Sequence, residues 1–196
     1  MSIAMAADPT ASGRVVLEEK AQLMSASEIE RTLVRLAHEI VERNNGAEGL
    51  ALIGILRRGL PLAQRLAALI ARIESRPVPV GVLDIALYRD DLTPVGQKPL
   101  VKPAQIPFDI NGLNVVLVDD VLYTGRTVRA ALDALFDHGR PRRVQLCALI
   151  DRGHRELPIE ATFVGKYVQT TAREIIEVKL TEVDGSERVL LVEPVR

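Results

Sequence analysis

The stretch that most constrains this chain is Val115-Val116-Leu117-Val118-Asp119-Asp120-Val121-Leu122-Tyr123-Thr124-Gly125-Arg126-Thr127. Four apolar residues in a row read as a strand buried on both faces, the habit of parallel sheets covered by helices. Two carboxylates follow at its C-terminal edge, where open α/β sheets bind ligands. A short loop then leads into a helix from about Gly125. Backbone N–H groups in the first turn of a helix lack intrahelical partners, and the helix dipole favours an anion there. Gly125 allows close backbone approach, and the Thr124 and Thr127 hydroxyls add donors. Asp119 and Asp120 repel a phosphate but accept hydrogen bonds from sugar hydroxyls. One loop is thus suited to read a sugar phosphate from both ends. The Gly-x4-Gly-Lys spacing of a nucleotide-hydrolysing P-loop is missing.

The remaining elements fit the same architecture. Ile29, Leu33, Leu36 and Ile40 recur at helical spacing, with Ser27 as a plausible cap and Asn44, Asn45 and Gly46 as the stop. Leu50–Ile55 reads as a buried strand, followed by Arg57-Arg58-Gly59 and a helix beginning near Pro61. Residues 78–87 read as a second strand. Residues 88–107, with four prolines and Gly96, show no strong helical pattern and read as a lid or flexible hairpin. Strands follow at 113–118, 144–150 and 161–165, and Gly139 is placed to close the helix after the phosphate loop. Residues 175–180 and 188–192 flank Asp184-Gly185 as a terminal hairpin. Strands alternating with helices imply right-handed crossovers and a parallel sheet, an α/β fold.

Aromatic residues make up only 3% of the chain and Trp is absent, so the core must be aliphatic. A net charge of −1 excludes polyanion binding by bulk charge, and nucleic acid would need a local basic patch. Cys147, the one cysteine, lies in an apolar run and reads as a buried structural thiol, which accords with a reducing cytoplasm. Residues 1–14 lack a basic start and a long apolar run and read as a mobile tail, leaving 15–196 as one domain with a small hood. No apolar stretch is long enough to span a membrane.

The strand, acidic pair and Thr-Gly-x-Thr together resemble the binding motif for phosphoribosyl pyrophosphate (PRPP) in type I phosphoribosyltransferases. Three segments narrow the resemblance: Asp84-Ile-Ala-Leu-Tyr-Arg-Asp-Asp-Leu92, Val118-Asp-Asp-Val-Leu-Tyr-Thr-Gly-Arg-Thr127 and Asp151-Arg-Gly-His-Arg-Glu-Leu-Pro158. They look like the PyrR family, pyrimidine operon attenuation regulators with uracil phosphoribosyltransferase activity. The resemblance runs from about residue 25 to 192. It implies a type I phosphoribosyltransferase fold, a parallel-rich twisted sheet flanked by helices, with a hood and a flexible lid.

The resemblance further implies that the 5-phosphate sits on Tyr123, Thr124, Gly125, Arg126 and Thr127 and the ribose hydroxyls on Asp119 and Asp120, with Val121 and Leu122 completing the PRPP-binding stretch. The pyrophosphate would meet Arg57, Arg58 and Gly59, where Arg57 replaces the family's usual Thr. Arg89 would close on it from the lid, joining Asp119, Asp120 and Arg58 as catalytic residues. Mg²⁺ would accompany PRPP, reached by Asp119 or Asp120 through water. The base would lie on Val164, Gly165 and Lys166, helped by residues 151–154, with His154 read as structural in preference to a catalytic base. Tyr167 and Gln169 depart from the family's Gly-Lys-Asn-x-Pro-Thr.

The family also implies binding of leader mRNA, sensing of uridine nucleotides (UMP or UTP), and assembly as dimers or larger homo-oligomers in the cytoplasm. The residues themselves add that Arg31, Arg35 and His38 share one face of the first helix, opposite its apolar stripe. A solvated charged face, interrupted by Glu28, Glu39 and Glu42, is the competing reading. Other readings are a phosphoribosyltransferase for another base without an RNA role, or a regulator that keeps the fold but lacks catalysis. A PRPP synthetase is a more distant one, since no ATP site is evident.

Overall fold

A computed structural model describes residues 16–85, 88 and 105–195. Two sheets organise it. The larger has five parallel strands in the order β3-β2-β4-β5-β6. These are β2 (Leu50–Ile55), β3 (Val80–Leu83), β4 (Asn114–Leu122), β5 (Arg143–Asp151) and β6 (Phe163–Tyr167). The smaller is antiparallel, β1-β8-β7, from β1 (Leu17–Ser25), β7 (Ile175–Lys179) and β8 (Arg188–Pro194). Helices α1 (Ala26–Asn44), α2 (Gly59–Glu74) and α3 (Arg126–Phe136) flank the large sheet, and one turn, α4 (Thr181–Asp184), joins β7 to β8.

The strand order explains where a ligand belongs. From β2 the chain passes through α2 outward to β3; from β4 it passes through α3 the other way, to β5. The two helices lie in different apolar clusters. Leu62, Leu66 and Ile70 of α2 join α1, Leu52, Val116 and Val118 in one. Val128, Ala131 and Leu135 of α3 join Ile53, Val115 and Leu117 in the other. Connections that diverge to opposite faces open a crevice between the C-terminal ends of β2 and β4, the switch point at which α/β sheets bind ligands.

Helix α1 starts at Ser25, not at Ser27. Ser25 Oγ accepts from the Glu28 N–H, and the Glu28 carboxylate accepts from the Ser25 N–H at 2.7 Å. That reciprocal pairing satisfies two orphan donors at once, which Ser27 cannot do. Asn45, left-handed at φ 55°, closes the helix. Its buried face holds Ile29, Leu33, Leu36, Ala37 and Ile40; each such Leu or Ile contributes about 1.5–3 kcal/mol relative to an exposed position.

Several other sequence expectations shift. Among the described residues of the strand anticipated at 78–87, Val80–Leu83 form it. Helix α2 begins at Gly59, two residues before Pro61. Strand β4 runs on to Leu122, so Asp119 and Asp120 lie within it and not after it. Strand β6 is Phe163–Tyr167, displaced from 161–165. Helix α3 stops at Phe136 with Asp137 as its cap, so Gly139 belongs to the following turn. The terminal hairpin forms as anticipated, with α4 at its tip. Strand β1 has no apolar alternation to announce it, because six of its nine residues are exposed; backbone pairing with β8 makes it a strand. Cys147 is buried, and burial pushes its thiol up to about 12. Residues 1–14 lie outside the described residues, as does the interior of the expected lid. At the base of that segment Val82 and Gln105 exchange backbone hydrogen bonds, and the Tyr88 hydroxyl donates to Asp137 at 2.7 Å.

The small sheet is fastened at its outer edges. Ile176, Val178, Leu180 and Val189 enter the same cluster as α1 and α2. Glu174, just before β7, accepts from the Thr171 N–H at 2.7 Å and from Lys20 of β1 at 2.9 Å. The Thr171 amide, then Lys20, hold its carboxyl down to about 2. A folded value below the unfolded one of about 4.5 means that the ionised contacts stabilise fully above the latter and are lost as pH falls through about 2. Glu174→Gln is therefore expected to lower the Tm at neutral pH, with the gap to wild type closing between about pH 4.5 and pH 2. Thermal melts across that range check it.

Candidate active site

The crevice between β2 and β4 is lined by two loops whose shape depends on close packing. The first, 56–59, leaves β2 through a cis Leu56–Arg57 peptide. Arg58 caps α2 and Gly59 begins it. A Cβ on Gly59 would stand 2.3 Å from the Val118 carbonyl oxygen of β4, and one on Gly54 would stand 2.5 Å from the Leu60 backbone. Two glycines thus let the start of α2 press directly onto both strands, next to the acidic pair.

The second loop, 123–125, joins β4 to α3. Its carbonyls are turned toward the segment after β5. The Tyr123 carbonyl accepts from Arg155 Nη1 at 2.9 Å, and the Thr124 carbonyl accepts from the N–H groups of Glu156 (2.9 Å) and Leu157 (3.2 Å). The N–H groups of Thr124 and Gly125 meet no backbone acceptor among the described residues. Gly125, at φ 92°, caps α3 in a left-handed conformation that disfavours a side chain. Thr124 Oγ1 accepts from the Arg126 N–H at 3.3 Å, and the Arg126 side chain pairs with Glu156. A loop with its carbonyls spent on one side presents amides to an anion on the other.

The acidic pair sits between these loops. Asp119 is buried, and its Oδ1 accepts from the Asp120 N–H; Asp120 Oδ1 accepts from the Val121 N–H. Burial pushes the Asp120 carboxyl up, against the pull of Asp119 and the Arg58 guanidinium. Arg58 Nη1 lies 4.0 Å from Asp120 Oδ2, so the first loop reaches the acidic pair across the crevice. Arg57 is exposed.

Beyond the loops, Arg152 is buried with its guanidinium 4.0 Å over the Tyr123 ring. It donates to Thr170 Oγ1 and to the carbonyls of Thr171 and Glu174. His154 stands edge-on to Tyr123, and its Nε2 lies 2.6 Å from the Thr170 carbonyl oxygen. A carbonyl only accepts, so that nitrogen carries a proton. Asp151, Arg152, Gly153, Arg155, Tyr167, Val168 and Gln169 help line an adjoining depression of about 480 Å³.

One of the anticipated RNA residues, Arg35, meets two of the anticipated base residues. The carbonyls of Val164 and Gly165 accept from Arg35 Nη2 at 3.2 and 2.6 Å, and Lys166 Nζ donates to the Leu23 carbonyl at 2.8 Å. Arg35 also pairs with Glu39. These contacts fasten β6 to α1 and β1, and Arg31, Arg35 and Lys166 share a shallow depression there. Arg31 and His38 are exposed. Arg89 lies outside the described residues. Sequence reasoning had weighed Asp184 only as a turn residue. It pairs with Arg58, and an acidic residue opposite an arginine 126 positions away leaves no local signal.

The family model for the phosphoribosyl transferase domain matches residues 20–194. The chain belongs to the phosphoribosyl transferase family. Within it, the chain groups with the bifunctional PyrR proteins. It is 64% identical over 172 residues to the bifunctional protein PyrR of Thermus aquaticus, covering 88% of this chain and 95% of that one. Against its counterpart in Pelotomaculum thermopropionicum it is 60% identical over 175 residues, covering 89% and 97%. Among solved structures, hypoxanthine phosphoribosyltransferase from Trypanosoma cruzi superposes with a TM-score of 0.70 at 20% identity, covering 90% of this chain and 96% of that one. A hypoxanthine-guanine phosphoribosyltransferase of Bacillus anthracis gives 0.64 at 22%, covering 90% and 99%. At that identity the structural likeness bears on the phosphoribosyltransferase fold alone.

Filling the space at Gly59 is expected to force the 56–59 loop off β4. Overpacking of this kind costs about 1–3 kcal/mol. Gly59→Ala should therefore lower the Tm and also displace Arg58; melts alongside PRPP binding check both.

Proposed function

We propose that this PyrR-type protein transfers ribose 5-phosphate from PRPP to uracil, giving UMP and diphosphate, and that it also binds pyrimidine-operon leader mRNA under control of uridine nucleotide. The observation that carries the catalytic half is the 4.0 Å approach of Arg58 to Asp120, across a switch-point crevice with a donor-rich loop at Thr124 and Gly125. A cation, two carboxylates and unpaired amides so arranged suit a ligand with an anion at each end and hydroxyls between.

In this reading the amides of Thr124 and Gly125 take the 5-phosphate, Asp119 and Asp120 accept from the ribose hydroxyls, and Arg58 takes the diphosphate. The reaction is substitution at ribose C1. A uracil nitrogen forms the new bond, the C1–O bond to diphosphate breaks, and the uracil proton passes to solvent or to the leaving group. Positive charge grows on the sugar beside the acidic pair, and negative charge on the leaving group beside Arg58; fixed charges placed at those points lower the barrier. Mg²⁺ fits this donor set, because it keeps waters and binds through one or two carboxylates plus substrate phosphates. It would neutralise the diphosphate, with Asp119 or Asp120 holding its waters. The base belongs in the depression beside Arg152 and Gln169, within reach of the stacked Tyr123.

Replacing both Asp119 and Asp120 with Asn is expected to cut uracil turnover by orders of magnitude, and near-normal turnover would remove them from the mechanism. A panel of bases assayed with PRPP and Mg²⁺ checks the preference for uracil.

For RNA, the exposed Arg31, His38 and Lys166 around α1 support a contact surface, with Arg35 anchored to β6. Phosphate contacts weaken steeply with salt. A gel-shift titration against leader RNA and a scrambled RNA, with and without UMP, is expected to show selective, UMP-enhanced binding that Arg31→Ala weakens while turnover is retained. Equal binding to both RNAs would leave only the catalytic half.

A further inference from the structure

The hood, the small sheet with its α4 turn, reaches the catalytic crevice through Asp184. Asp184, the last residue of α4, grips Arg58 side-on: Nε donates to Oδ2 at 3.0 Å and Nη2 to Oδ1 at 2.7 Å. The carboxylate is itself held, since Oδ2 accepts from the Leu180 N–H at 2.9 Å. The α4 turn is held in its turn by Arg65, seven residues after Arg58 on α2, which pairs with Glu182 and Glu187. Nη1 of Arg58, outside that grip, is the atom that faces Asp120.

An arginine alone samples many side-chain rotamers, and a ligand that binds it must freeze them. A bidentate carboxylate does so beforehand because the guanidinium fork is planar and rigid. We propose that Asp184 is a positioning residue for PRPP: from the hood, it holds Arg58 with Nη1 aimed at the border between the acidic pair and the diphosphate. This rests on the reading of the crevice as a PRPP site. The Arg58 hydrogen bond, followed by the Leu180 amide, holds the Asp184 carboxyl below the usual carboxylate range, so it is ionised at neutral pH.

Two effects of removing Asp184 have opposite signs. Deleting a negative charge beside an anion site tightens binding of PRPP and of diphosphate. Freeing Arg58 weakens it. If positioning governs, Asp184→Ala raises the KM for PRPP about tenfold, the size expected for one charge-assisted hydrogen-bonded contact, and weakens diphosphate binding in parallel, while the KM for uracil is unchanged. Asp184→Asn, which keeps one acceptor oxygen, falls between. Glu182→Gln, which loosens the same turn without touching Arg58, leaves the KM for PRPP at the wild-type value.

The experiment is steady-state kinetics with varied PRPP, together with calorimetric titration of magnesium diphosphate, on the full-length wild type and these three variants. A lower KM and tighter diphosphate binding in Asp184→Ala would overturn the proposal in favour of charge masking. An equal loss in Glu182→Gln would overturn it in favour of general anchoring of the hood. Wild-type protein that turns over no base yet binds diphosphate more tightly than Asp184→Ala would sink the catalytic reading and leave the positioning intact. Wild-type protein that neither turns over nor binds diphosphate would sink both.

Discussion

The site depends on the parallel pairing of β2 with β4 and on the absence of side chains where α2 crosses them. With Leu52 beside Val116 and Gly54 beside Val118, the two strand ends lie in register. The Gly59 backbone then rests against the Val118 carbonyl. That contact sets the distance from Arg58 to the acidic pair. Were α2 lifted by a methyl group, a cation and two carboxylates would still be near one another, but not at hydrogen-bonding range of one bridging ligand.

Around that contact the structure separates holding from binding. The loop between β4 and α3 is held from behind, its Tyr123 and Thr124 carbonyls bonded to Arg155, Glu156 and Leu157. Arg155 also pairs with Asp151 at the end of β5. Arg152 is buried under Tyr123 and ties the 170–174 segment to the same spot. Side chains whose hydrogen bonds are met by the protein do not move when a ligand arrives, and such preorganisation makes fixed charges effective in catalysis. The hood shares this scheme, because its apolar face merges with the α1–α2 core while Asp184 and Arg65 hold its tip to α2.

The 115–127 segment was legible because its parts are consecutive: an apolar run, two acids and Thr-Gly-Arg-Thr declare strand, edge and helix start within thirteen residues. The helices were legible from their 3.6-residue stripes. Strand β1 was not, since its residues are exposed and only the ladder to β8 defines it. Nor was the fate of Val164, Gly165 and Lys166, whose polar groups are taken by Arg35 and Leu23 from elements more than a hundred residues away.

The sequence by itself determined the alternation of helices and strands from α1 to β6, the aliphatic core and the chemistry of the 115–127 segment, because these follow from neighbours along the chain. Only the tertiary structure decided which strands pair, that α2 and α3 diverge between β2 and β4, and that a carboxylate from the hood grips Arg58. Those outcomes depend on shape and on charges that meet across long stretches of chain, where composition and spacing carry no information about distance.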